Sequence, residues 1–302
     1  MKKFPLHTII YSTISILLML VPTGLYSQSI SLQVVTKDVK KKISYKKGQI
    51  LSMQGEKSEV MIRTWDKDYI SVEMQINAQH PKRAIAAEDL KSFKYSFESS
   101  KDTIYIKNEI IQKEETLRSG LQAFYSIKIP NSCQVKLNNY YGTAELTDLS
   151  QGVDINSQFC NLTLTNILGK VDVDTYFGDL IGVLIDGKVN IKANRSDVTL
   201  SEIGGEFNID AYSGEVKIFA NQSLVDLNIN AVKSDVFFYD SQLDGYNFDL
   251  TLDKGNLEIP DNLAAQFNRQ DDIRKVLIEN QKELIGVSVV INVKSGNLML
   301  VE

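Results

Sequence analysis

The sequence predicts an all-β fold, a β-solenoid with 18-residue coils, and three observations carry the prediction. Aliphatic pairs recur every 18 residues, a second aliphatic pair follows at fixed phase, and glycine closes the unit. Val135, Val153, Val171, Val189, Phe207 and Val225 form the first series, and Leu137, Ile155, Val173, Ile191, Ile209 and Leu227 stand two places on. The second pair reads Ala144 and Leu146, Leu162 and Leu164, Val198 and Leu200, Val216 and Ile218; the third unit departs, with Leu180 in place but Gly182 after it. Leu149, Ile167, Ile185 and Ile203 mark a third apolar position, and Gly169, Gly187 and Gly205 the closing turn. Alternate residues of a strand share a face, so each unit presents four apolar side chains that it cannot bury alone. Stacking units about 4.8 Å apart buries them as internal ladders, with each strand paired to its counterpart in the next coil.

In chain order, Lys2 and Lys3 precede an apolar stretch from Ile9 to Val21, broken by Pro22 and Gly24 before Ser27, so residues 1–27 read as a signal peptide. The competing reading, a membrane anchor, is disfavoured by Tyr11, Ser12, Thr13 and Ser15 inside a run shorter than the roughly 20 apolar residues of a span. Cleavage would remove Lys2 and Lys3 and take the formal charge from −5 to −7. Residues 28–130 read as an irregular N-terminal β region or cap: 49–54, 58–64, 69–75, 93–97 and 103–107 alternate, but their spacing drifts. Residues 131–260 are the regular solenoid, with Val236 and Phe238 delayed by two places and a further unit at Phe248, Leu250, Leu252, Gly255, Leu257 and Ile259. Residues 261–286 lose the alternation, and Ala264, Ala265, Ile273, Val276, Leu277 and Leu284 predict a helical insertion. Residues 287–302 return as a final β coil, where Val289, Ile291, Val293, Gly296, Leu298 and Leu300 repeat the preceding unit.

Composition narrows the function classes. A pI near 5.3 prepares no surface for polyanions, so nucleic acid is not an expected partner. His7 and His80 are the only histidines, which removes most hydrolase triads and histidine-rich metal sites. Asp154 with Asp172, Asp174 with Asp210, and Asp179 with Asp197 share repeat phases, but the Gly-rich turns of calcium-binding β-rolls are missing, and a solvated polar face is the favoured reading. Cys133 and Cys160 fall in opposite turns, too far apart in phase for a bridge. Cys160 fills a place that glycine holds in neighbouring units. Neither a catalytic site, a metal site nor a cofactor is expected.

A longer rhythm of 36 residues links Tyr140-Tyr141-Gly142, Tyr176-Phe177-Gly178 and Tyr212-Ser213-Gly214, with Gln158-Phe159-Cys160 and Asn194-Arg195-Ser196 between them. Turn packing accounts for Tyr140, Tyr176 and Tyr212 more readily than a row of glycan platforms, which stays as the minority reading for surface binding. Ile62-x-x-Trp65-Asp66-Lys67-Asp68, Ile127-x-Ile129-Pro130, Val135-x-Leu137-x-x-x-Tyr141-Gly142 and Ile259-Pro260 resemble the bacterial putative-adhesin β-strand-repeat family, a domain of unknown function. The resemblance implies an exported, envelope-associated β-solenoid in the periplasm, on the cell surface or outside the cell, with no family site residues to carry over. The expected function is non-enzymatic, structural or adhesin-like, with an envelope protein or glycan as partner and no membrane span after cleavage. The alternatives are a polysaccharide-active enzyme and an accessory or sensor protein that binds by β-augmentation at an open strand near Leu298–Val301.

Overall fold

Where aliphatic residues recur at 18, the backbone pairs at 18. The computed structural model describes residues 31–111, 117–221, 223–270, 273–280 and 286–302, and the segment expected as a signal peptide lies outside them. The strands are β1 (Gln33–Ser44), β2 (Ile50–Trp65), β3 (Tyr69–His80), β4 (Phe93–Ser99), β5 (Thr103–Ile110), β6 (Gly120–Pro130), β7 (Gln134–Leu149), β8 (Val153–Tyr176), β9 (Leu180–Asn194) and β10 (Val198–Ser201). They continue as β11 (Gly204–Tyr212), β12 (Glu215–Phe219), β13 (Leu224–Val232), β14 (Asp235–Tyr239), β15 (Tyr246–Asp253), β16 (Leu257–Glu258), β17 (Ala265–Gln270), β18 (Ile273–Ile278), β19 (Val287–Lys294) and β20 (Leu298–Val301). A short helix, α1 (Arg83–Asp89), follows β3. The fold is all-β, and the twenty strands of the described residues belong to one hydrogen-bonded sheet.

The regular part is parallel and in register. Val135 pairs with Val153, Val171 with Val189, and Val189 with Phe207, while Leu162, Leu180, Val198 and Val216 pair in succession. All of these side chains are buried in one contiguous core. Gly182 breaks the apolar spelling because its space is already filled: a Cβ there would lie 2.6 Å from Leu200 Cδ2 and 3.3 Å from Ile185 Cγ1. The sixth unit departs from the expected spacing. Phe207 pairs with Leu227 and Ile209 with Ile229 across a register shift at Gly205/Glu206, which leaves Val225 60% exposed. Two extra residues before β13 move the whole face by one pleat repeat, so the side-chain alternation survives the insertion. The delay at Val236 is the same shift carried into the next strand, where Val216 meets Val236 and Ile218 meets Phe238.

Left-handed backbone recurs at two phases of the repeat. Non-glycine residues with positive φ fall on one ladder, Lys57, Tyr141, Phe159, Phe177, Arg195, Ser213, Lys233, Ser295 and Lys254, and on a second, Asp148, Asn166, Leu184 and Glu202. A bend at these places turns the strand while keeping its neighbours in register, so the conformation belongs to the architecture rather than to one strained site.

Both ends depart from chain order. At the N-terminal end β2 lies between β7 and the pair β5 and β6, all parallel to it. Antiparallel strands finish this end, β4 on β5 and then β3 on β6 with β1 outside β3. Among the described residues β1 pairs only with β3, and it carries Lys37, Lys40, Lys41 and Lys42, charges that discourage another chain from adding to the edge. At the C-terminal end β19 inserts between β13 and β15, and β20 between β14 and β16. The sequence repeat is therefore a spatial one: Phe248, Leu250 and Leu252 lie beside Val289, Ile291 and Val293. Leu298 and Met299 are paired on both sides, so that part of the last strand is not an open edge.

The helix expected over 261–286 is not what forms. Ala265–Gln270 and Ile273–Ile278 are antiparallel strands, with β18 laid against β15 and β17 outside it. Val276 and Ile278 complete the core face, whereas Ile273, Leu277 and Phe267 are exposed. These outward aliphatics blur the period-two signal, and pairing to a distant strand outweighs the local helical spacing. Leu284 lies outside the described residues.

Candidate functional site

The first corner ladder carries an exposed stack of aromatic rings. Tyr141, Phe159 and Phe177 occupy the same left-handed place in successive repeats, with φ of 59°, 55° and 55°. Paired strands about 4.8 Å apart bring flat side chains at one phase close to stacking distance. The Tyr141 and Phe159 ring centroids are 4.9 Å apart with planes 5° apart, and those of Phe159 and Phe177 are 5.0 Å apart at 7°. The guanidinium of Arg195 closes the stack 5.0 Å over Phe177, and Tyr176 meets Phe177 edge-on at 4.5 Å. Tyr141 remains 51% and Phe159 43% exposed, so the rings form a ridge of edges to solvent while covering one another's faces.

Glycine alternation beside the ridge sets its geometry. The residue after each left-handed corner from Tyr141 to Lys233 reads Gly142, Cys160, Gly178, Ser196, Gly214 and Ser234 in successive repeats. A Cβ at Gly142, Gly178 or Gly214 would lie 2.0–2.1 Å from the carbonyl oxygen of Ser58, Cys160 or Ser196, so side chains fit only in alternate repeats. The serines use the space. Ser196 Oγ donates to Asn194 O and accepts from Gly178 N–H, and Ser234 Oγ donates to Val232 O and accepts from Gly214 N–H. Cys160 takes the serine role, its Sγ 3.3 Å from Gln158 O and 3.2 Å from Asn139 O. The 36-residue rhythm is thus a backbone requirement.

Both cysteines are free and buried. Desolvation pushes each thiol up to about 11, against backbone hydrogen bonding that favours the thiolate. Both should therefore resist a disulfide-exchange reagent at pH 8 in the native protein and react fully after unfolding in denaturant. Thiol counting before and after denaturation checks this, and a native count of one or two would contradict it. The sign for stability follows. A folded-state value raised above the ordinary 9 contributes stability that is full below pH 9 and is lost as pH rises through about 11.

The sequence-predicted residues fall beside this ridge. Tyr140 is half-buried and Tyr176 and Tyr212 are partly exposed; they recur two repeats apart, and Tyr212 lies under Lys233 Nζ at 5.6 Å. Residue-type reasoning missed the adjacent series Tyr141, Phe159 and Phe177, whose signal was an 18-residue spacing of aromatics next to a small residue. The phased carboxylates have neighbours of their own. Asp154 pairs with Lys136 at 2.9 Å and Asp172 with Lys170 at 2.6 Å. The Lys170 hydrogen bond holds Asp172 below its usual range. Asp179 and Asp197 accept the backbone N–H groups of Asp197 and Glu215, 18 residues on, and Asp210 accepts from Asn230. Among the described residues no three His, Cys, Asp or Glu side chains gather as a metal site. His80 Nδ1 accepts the Lys82 backbone N–H, and Trp65 packs edge-on against Tyr69 at 4.7 Å while donating to the Tyr69 carbonyl.

No protein-family model and no curated protein sequence matches the chain. Solved structures resemble it at low identity. A "putative adhesin" from Parabacteroides merdae is 10% identical with a TM-score of 0.38, covering 88% of this chain and 97% of that one. A "putative lipid binding protein" from Parabacteroides distasonis is 12% identical with a TM-score of 0.33 and the same coverage. A "putative cell adhesion protein" from Clostridium sporogenes is 10% identical with a TM-score of 0.27, covering 88% of this chain and 99% of that one.

Proposed function

We propose that the protein is a non-enzymatic, exported β-solenoid with 18-residue coils that acts as an adhesin-like binding element of the cell envelope. The parallel 18-residue registers and the two corner ladders support the winding. The observation that carries the binding role is the ridge of Tyr141, Phe159 and Phe177 ended by Arg195, large apolar edges held out to solvent by a stiff scaffold. Exposed aromatics beside an arginine are the side chains that dominate recognition surfaces, and fixing them on paired strands lowers the ordering cost of binding. The apolar, serine-interrupted run after Lys2 and Lys3 supports export. No described helix is long and apolar enough to cross a membrane.

Co-sedimentation with a purified envelope fraction tests this reading. The protein should pellet with the fraction, and Phe159→Ser combined with Phe177→Ser should weaken that association at least tenfold while the circular dichroism spectrum stays that of the native fold. Equal pelleting of the two proteins would remove the ridge from the function.

A further inference from the structure

A face-to-face stack leaves an uncovered face only at its ends, and at the N-terminal end that ring is Tyr141. Phe159 covers one face of Tyr141, whereas the preceding place on the ladder belongs to Lys57, since Glu56 pairs with Tyr140 and Ser58 with Gly142. Beside this end lies a cleft of about 320 Å³ whose lining includes Lys57, Asn77, Gln79, Gly120, Gln122 and Tyr141. Its volume is near the lower end of the roughly 300–1,000 Å³ typical of small-ligand sites.

The polar groups in the cleft are oriented from outside it. Thr36 Oγ1 donates to Asn77 Oδ1 at 2.9 Å, which leaves the Asn77 amide N–H groups as donors toward a guest. Gln122 Nε2 donates to Glu59 Oε1 at 2.7 Å, which leaves Gln122 Oε1 as an acceptor. Gln79 is exposed beside them, and Lys57 is exposed with no ion pair among the described residues. Gly120 keeps its part of the wall open: a Cβ added there would meet nothing within 4 Å.

We propose that this cleft is a carbohydrate site for an acidic sugar. A pyranose has a C–H-rich face that fits the free face of an aromatic ring and a rim of hydroxyls that both donate and accept. Tyr141 supplies the ring, Asn77, Gln79 and Gln122 supply the amides, and Lys57 meets a carboxylate or sulfate on the sugar. A purely apolar guest would strip water from the amides without replacing their hydrogen bonds. The proposal rests on the binding-module reading above and gives it a ligand class.

Saturation-transfer NMR and calorimetry with galacturonate, glucuronate and N-acetylneuraminate oligosaccharides test it, with neutral galactotriose as the comparison. At least one acidic oligosaccharide should bind saturably and more tightly than galactotriose. Tyr141→Ala should weaken it tenfold or more, Gly120→Tyr should abolish binding by filling the cleft, and Lys57→Gln should reduce the acidic sugar to the level of the neutral one. Thermal melting verifies that each variant is folded, and Gly120→Tyr decides alone where Tyr141→Ala is not. Absence of saturable binding by every acidic probe, or binding that survives Gly120→Tyr, overturns the site. A Lys57→Gln variant that keeps the acidic preference overturns the acidic class. Sugar binding with no envelope co-sedimentation would refute the envelope reading and leave the site standing; the reverse result would refute the site and leave that reading.

Discussion

Gly178→Ala should lower the free energy of unfolding by about 3 kcal/mol, a loss at the upper end of ordinary overpacking. The added Cβ would lie 2.0 Å from the carbonyl oxygen of Cys160, 2.5 Å from its carbonyl carbon and 2.8 Å from its nitrogen. These are backbone atoms of the neighbouring repeat, and no rotamer change relieves the overlap. Relief requires moving one repeat against the next, yet Leu162 is held to Leu180 on one side of the corner and Tyr176 to Asn194 on the other. The denaturant midpoint should fall while the slope of the transition stays that of the parent. Two controls separate the clash from a general intolerance of change. Gly120→Ala, in open space, should lie within about 0.5 kcal/mol of the parent. Cys160→Ser should be nearly as mild, at about 1 kcal/mol or less, because Ser196 and Ser234 already fill that role two and four repeats along. Should Gly178→Ala prove as stable as Gly120→Ala, the alternation of glycine with serine or cysteine would need another explanation.

How legible this fold was depends on which interactions fix each part. The parallel register from Val135 to Ile218 was readable because every unit repeats the same local task, and Val189 and Phe207 face the same core at the same phase. The two-residue insertion before β13 was harder to place. Val225 keeps the 18-residue spacing in sequence and Leu227 keeps it in space, and only the register at Gly205 decides between them. The hairpin of β17 and β18 was hidden because its identity depends on Asp249, Leu250 and Thr251 more than twenty residues earlier, to which Leu277, Val276 and Lys275 pair. The ridge was half legible. Aromatics at 141, 159 and 177 are plain in the sequence, but that they are the outward corner residues follows from their left-handed backbone. The cleft at Tyr141 was not legible at all, since Asn77, Gln79 and Gln122 reach it through the antiparallel pairing of β3 with β6, which no repeat encodes.

Phe207→Ala tests the interior in the same way that Gly178→Ala tests the corner, and should cost about 3–5 kcal/mol. Phe207 is 1% exposed and lies between the aliphatic Val189 and Leu227 on strands paired to it from both sides. Truncation removes the transfer energy of the ring and leaves a cavity that the backbone cannot close without giving up both registers. Phe207→Leu keeps most of the volume and should cost under about 1.5 kcal/mol. Phe219 supplies the surface comparison: its ring stacks on Tyr239 at 4.5 Å but is 40% exposed, so Phe219→Ala should cost roughly 1 kcal/mol. Because β11 pairs with β9 on one side and β13 on the other, the damage should also be local. Amide exchange in Phe207→Ala should accelerate most in β9, β11 and β13, with β2 and β7 retaining more of their protection. A loss below about 1.5 kcal/mol would place Phe207 outside the packed column, and uniform acceleration over all strands would mean that the strands unfold as one cooperative block rather than as coupled neighbours.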